Sequence, residues 1–77
     1  MIKEHERVAL TADLPQYRLK AGDIGVVVMI HGAHEGYELE LFSADGQTLD
    51  VVTVDAAQVR PLTHRDMMHA RTLEPTD

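Results

Sequence analysis

A chain of 77 residues supports a single domain, and one this small buries only about 60% of the surface its unfolded chain exposes, leaving little room for a deep catalytic pocket. It holds no cysteine, so neither disulfides nor thiolate metal sites supplement the core, and stability has to come from apolar packing. The formal net charge of −6, from 13 Asp and Glu against 7 Lys and Arg, opposes a nucleic-acid backbone and suits solubility or a basic protein partner.

The opening Met1-Ile2-Lys3-Glu4-His5-Glu6-Arg7 is charged and lacks the apolar stretch of a signal peptide, and no apolar run reaches the length of a membrane span. A soluble, cytoplasmic protein is the expectation. From Glu6 to Thr11 polar and apolar residues alternate, which predicts a first strand with Val8 and Leu10 on its inner face. Ala12 to Ala21 follows as a long connection holding Asp13, Pro15 and Gln16, with Leu14, Tyr17 and Leu19 available to fold back over the end of a barrel. It reads as an ordered arched loop.

Leu19 to Ile30 is the most informative stretch of the chain, because a turn with two glycines runs straight into an apolar, β-branched segment. Gly22 can take the positive φ of a diverging turn, Asp23 can bond the backbone there, and Gly25 lets another strand come close. The second strand is expected over Ile24 to His31, with Ile24, Val26, Val28 and Ile30 inward, and Gly32 to Gly36 turns it round. Tyr37 to Phe42 has the cleanest alternation and puts Glu38 and Glu40 in water. Ala44-Asp45-Gly46-Gln47 carries the Asp-Gly signal of a tight hairpin and leads into a fourth strand over Thr48 to Val54. Asp55 to Gln58 suits one 3₁₀ turn, and Val59-Arg60-Pro61-Leu62 reads as a short closing strand with Pro61 at an edge. Five short strands in this arrangement predict an all-β fold, a small five-stranded SH3-like barrel over residues 1–62. An OB-type barrel would need a longer chain and usually a helix between strands three and four.

Val8 and Leu10, Asp13-Leu14-Pro15, the L-x-A-G-D-x-G-V-V run from Leu19 to Val27, G-Y-E-L-E-L-F from Gly36 to Phe42, and Val51 to Pro61 together resemble a family of short bacterial domains of unknown function. The resemblance covers residues 5–62 and implies an SH3-like barrel with no established activity or catalytic residues. Members encoded beside toxin-like or nuclease-like proteins imply an antitoxin or immunity role. Lys20 to Val27 is also similar to the short KOW motif of ribosomal and transcription-elongation barrels, which implies an RNA- or ribosome-associated module. That alternative needs a local basic stripe, and Arg7, Arg18, Lys20 and Arg60 are the barrel residues able to build one.

No arrangement suited to catalysis appears. Ser43, the sole serine, precedes a hairpin instead of a nucleophile elbow, and Gly22 and Gly25 lead into a strand, not the helix N-terminus that would cradle phosphate. His31, His34 and Glu35 could in principle grip a divalent metal, but an exposed polar turn explains them as well, and neither a cofactor nor a metal is expected. His64 and His69 are off-register for one helical face, and His5 stands alone. Polyproline recognition is disfavoured, because Tyr17, Tyr37 and Phe42 are the whole aromatic inventory.

Residues 63–77 form a C-terminal tail. Thr63-His64-Arg65-Asp66 offers a capping-box-like start, Met67 to Leu73 has the length of two helical turns, and Pro75 would stop them. So short a segment either docks or frays, and docked, Met67, Met68 and Leu73 could fill an apolar groove on a partner or on a second copy of the chain. The sequence thus predicts a non-enzymatic module that binds another protein, through the arched loop at Asp13, Pro15 and Tyr17 and the tail at Met67, Met68 and Leu73.

Overall fold

The computed structural model describes residues 2–73. Five strands, β1 (Arg7–Leu10), β2 (Ile24–His31), β3 (Gly36–Phe42), β4 (Thr48–Asp55) and β5 (Val59–Pro61), make one sheet in the order β4-β3-β2-β1-β5 with every neighbouring pair antiparallel. This is the strand order of an SH3-like barrel, with β4 and β5 as its outermost strands. Alternation explains the core. Val8, Val27, Leu39 and Val52 are almost wholly buried, with Leu10, Tyr37, Leu41, Val54 and Val59 packed around them. No described helix is long and apolar enough to cross a membrane.

The connection between β1 and β2 closes one end of the barrel. Pro15–Tyr17 forms a 3₁₀ turn, and Leu14 pairs with Leu19 across it. Both leucines are buried, and the Tyr17 ring packs half-buried against the core. The turn into β2 follows, with Lys20 N–H donating to the Asp23 carboxylate at 2.7 Å and Gly22 at φ +93°. Such a φ at the third position of a tight turn strains any residue with a Cβ. Gly25 serves packing instead. A Cβ there would stand 3.3 Å from the Leu39 Cβ, so its absence lets β3 close over β2.

The inward residues of β2 differ from the expected set. Gly25 and Val27 face the core, whereas Ile24, Val26 and Val28 are only half-buried. A register shift between Val27 and Met29 inserts a bulge opposite β3, and beyond it the phase returns so that Ile30 packs on the core and Met29 faces out. A bulge adds one residue to one strand, and a strictly alternating count cannot anticipate it.

After β4, Asp55 and Gln58 cap the 3₁₀ turn Ala56–Gln58 reciprocally, and Pro61 pairs with Val8 on the outermost strand, where its missing N–H costs no ladder bond. The tail does not take the helical alternative: after a turn at Thr63–Asp66, residues 67–73 run without helix or strand, and Pro75 lies outside the described residues. The Asp66 carboxylate does accept from the Thr63 amide at 2.7 Å, as a capping box would, but it is also held by Arg60. The Arg60 clamp fixes the turn to β5. A segment this short gains too little from helical hydrogen bonds alone to outweigh such docking contacts.

Candidate functional site

The tail lies on the barrel as an extended strap fastened at two points. Arg60 on β5 donates in a forked pair to Asp66, at 2.8 and 3.0 Å, a geometry that fixes orientation as well as charge. That pairing holds the Asp66 carboxyl well below the usual carboxylate range, with the Arg60 hydrogen bond the main cause. Further on, Arg71 Nε–H donates to Asp23 Oδ1 at 2.9 Å and its terminal nitrogen to the Arg18 carbonyl at 3.0 Å. Arg18 has φ +61°, a left-handed residue directly after the 3₁₀ turn. Burial raises the Asp23 carboxyl, but the Arg71 hydrogen bond and the Lys20 amide outweigh it and leave the group below its ordinary value. Leu73 then packs against the core.

Two hollows flank the strap. One, of about 510 Å³, lies between the arched loop and Arg71 and is lined by Asp13, Pro15, Arg18 and Lys20 among others. The second, of about 710 Å³, is a mainly apolar groove between the strap and the mouth of the barrel, where Ile24, Leu41, Phe42 and Leu49 meet Met68 and Leu73. The candidate residues from the sequence therefore divide. Asp13 and Pro15 share the first hollow, Met68 and Leu73 the second, and Met67, 89% exposed, lines neither. Asp13, Tyr17 and Leu73 also serve the fold: the Asp13 carboxylate accepts from the Ala21 amide at 2.9 Å, and the other two pack on the core.

The histidine turn has its own structural roles. His31 Nε2 lies 2.6 Å from Glu38 Oε2, and this hydrogen bond, assisted by the Thr53 hydroxyl, lowers the Glu38 carboxyl. His34 sits edge-on to the Tyr37 ring, 6.3 Å between centroids. Among the described residues no three His, Cys, Asp or Glu side chains come together as a metal site. The four barrel cations are dispersed as well. Arg18 and Lys20 line the first hollow, Arg7 the second, and Arg60 is engaged by Asp66.

The family model DUF4926, described as a domain of unknown function, matches residues 4–61. The chain belongs to the DUF4926 family. No curated protein and no solved structure matches it. The matched region ends at the last residue of β5, so in this DUF4926 domain the strap, with Asp66, Met68, Arg71 and Leu73, lies beyond the family match.

The outer face of β3 and β4 was missed by the sequence reading. Phe42, Leu49 and Val51 are large, apolar and 43–50% exposed, and Met29 on β2 is exposed on the same side of the sheet. Glu40 stands opposite Val51 and hydrogen-bonds the Thr48 hydroxyl. From Ala21 through Val59 the chain carries no lysine or arginine, while Asp23, Glu35, Glu38, Glu40, Asp45, Asp50 and Asp55 all fall there. The signal was available in β4. Val51 and Val52 are adjacent, so the apolar residues of that strand occupy both faces: Val52 and Val54 fill the core, and Leu49 and Val51 are left outside.

Proposed function

We propose that this DUF4926 domain is a non-enzymatic, cytoplasmic protein-binding module, an accessory or antitoxin- and immunity-like partner of another bacterial protein. The observation that carries this reading is the exposed apolar surface around the barrel mouth, where Phe42 and Leu49 of the β3–β4 hairpin and Met68 of the strap border one groove. Large apolar side chains gathered at one place on so small a protein mark an interaction surface more often than chance exposure. Methionine adds adaptability, since its unbranched thioether chain fits irregular partner surfaces. An RNA-binding role draws less support, because the barrel cations are spread over different hollows instead of forming one stripe.

Affinity capture with the full chain, followed by sizing of the eluted complex, tests the proposal. A stoichiometric protein partner, lost on Phe42→Ala with Met68→Ala while the melting temperature holds, is the expected result. Free monomer throughout would remove it.

A further inference from the structure

Resting on the protein-binding reading, we infer that the open edge and outer face of β4 dock a cationic, extended protein segment in which lysine or arginine alternates with apolar residues. The face supplies both halves of the required complementarity. Phe42, Leu49 and Val51 form an apolar patch continuous with Met68 of the strap, Glu40 stands opposite Val51 on that face, and Asp50, between Leu49 and Val51, turns to the other side of the strand. Paired along the open edge of β4, an extended segment sends alternate side chains to the two sides of the sheet, so its apolar residues lie beside Leu49 and Val51 while its lysines or arginines reach toward Asp50.

The charge distribution selects the occupant. Nucleic acid would meet carboxylates with no lysine or arginine between Ala21 and Val59 to offset them. A second copy paired through the same edge about a two-fold axis would bring the Asp50 carboxylates of both copies to one seam, an arrangement that like charges disfavour. A basic protein meets neither obstacle, and complementary potentials would also speed its encounter. Arg7, beside Val26 across β2, marks the far rim of the acidic surface.

Two short peptides with the same valine pattern, one alternating with lysine and the other with glutamate, probe the face directly. Titrated into the isotope-labelled full chain, the lysine peptide is expected to shift the amides of Phe42, Leu49 and Val51, and the glutamate peptide to leave them unmoved. Leu49→Lys with Val51→Lys should weaken the lysine peptide about tenfold or more, as should raising salt from about 50 to about 300 mM. Both side chains are half-exposed, so the double variant should keep the wild-type melting temperature. Equal shifts with both peptides, or shifts centred on Arg18 and Lys20, would overturn the assignment. Capture from the source organism separates the two readings: a stoichiometric partner that the double variant retains removes this face but leaves the module, whereas no partner for the wild type removes both.

Discussion

Asp23 carries two unrelated tasks at one corner of the barrel. One carboxylate oxygen takes the Lys20 amide and shapes the turn into β2, and the group as a whole receives Arg71 from the strap. Arg71→Ala should therefore free the strap and leave the turn intact, while Asp23→Ala loses both and is the more destabilising change; melting curves of the two variants rank them. Because its carboxyl is lowered in the folded protein, Asp23 contributes stability that is complete above the ordinary carboxylate range near pH 4 and is lost as pH falls through the folded value. Acid should consequently release the strap before the barrel melts. Amide shifts of residues 67–73 followed from pH 7 downward would show this as a separate step, and a strap that leaves only with global unfolding would contradict it. At the neighbouring residue the constraint is steric. Gly22→Val places a β-branched side chain at φ +93° and should cost at least about 1 kcal/mol by thermal melting, although a Cβ there has open space around it.

Among the elements, β4 is the exposed one. It is the outermost strand beside β3, and its first four residues are all exposed. Outer strands invite pairing with other chains, and charge placed on them is a common defence. Asp50 fits that role: it stands opposite buried Leu41, points to the mouth of the barrel where an apolar residue would otherwise sit, and accepts from the Val51 amide at 2.8 Å. Asp50→Val should raise self-association, read by sedimentation at increasing concentration, without lowering the melting temperature by more than a few degrees. What could be read beforehand also divides by element. The strands, the hairpins and the 3₁₀ turn after β4 were legible because alternation and the turn chemistry of Asp23, Gly46 and Asp55 are local. The bulge at Val28 was not, since it reflects how β2 accommodates β3 at long range. Whether the tail would be helical was not legible either: Arg71 of the strap is held by Asp23, 48 residues away, and Arg60 pairs with Asp66 from a place that β5 fixes. Met68 was legible as an apolar residue in need of a partner, whereas Phe42 and Leu49 were legible only as strand residues until the register placed them outside.

For the whole molecule the question is whether the strap belongs to the barrel or to a partner. The family match ends at residue 61, and the core among β1 to β5 is continuous without residues 63–73, so a barrel cut after Leu62 should still fold. It should fold less firmly. The cut removes Leu73 from its place against the core and the Arg71–Asp23 pair, whose side chains are 25% and 15% exposed. Partial burial of a leucine and one shielded ion pair together stabilise by about 2 kcal/mol, equivalent to roughly 10 °C in melting temperature for a domain of this size. The truncation also dismantles one wall of the groove by removing Met68, while Phe42, Leu49 and Val51 remain. If the surface is shared between strap and sheet, the shortened protein should bind the lysine peptide more weakly but still on β3 and β4. Full affinity after truncation would assign the whole surface to the sheet and leave the strap a purely structural clasp. Complete loss, with a melting temperature near that expected, would place the binding determinants on Met67 and Met68.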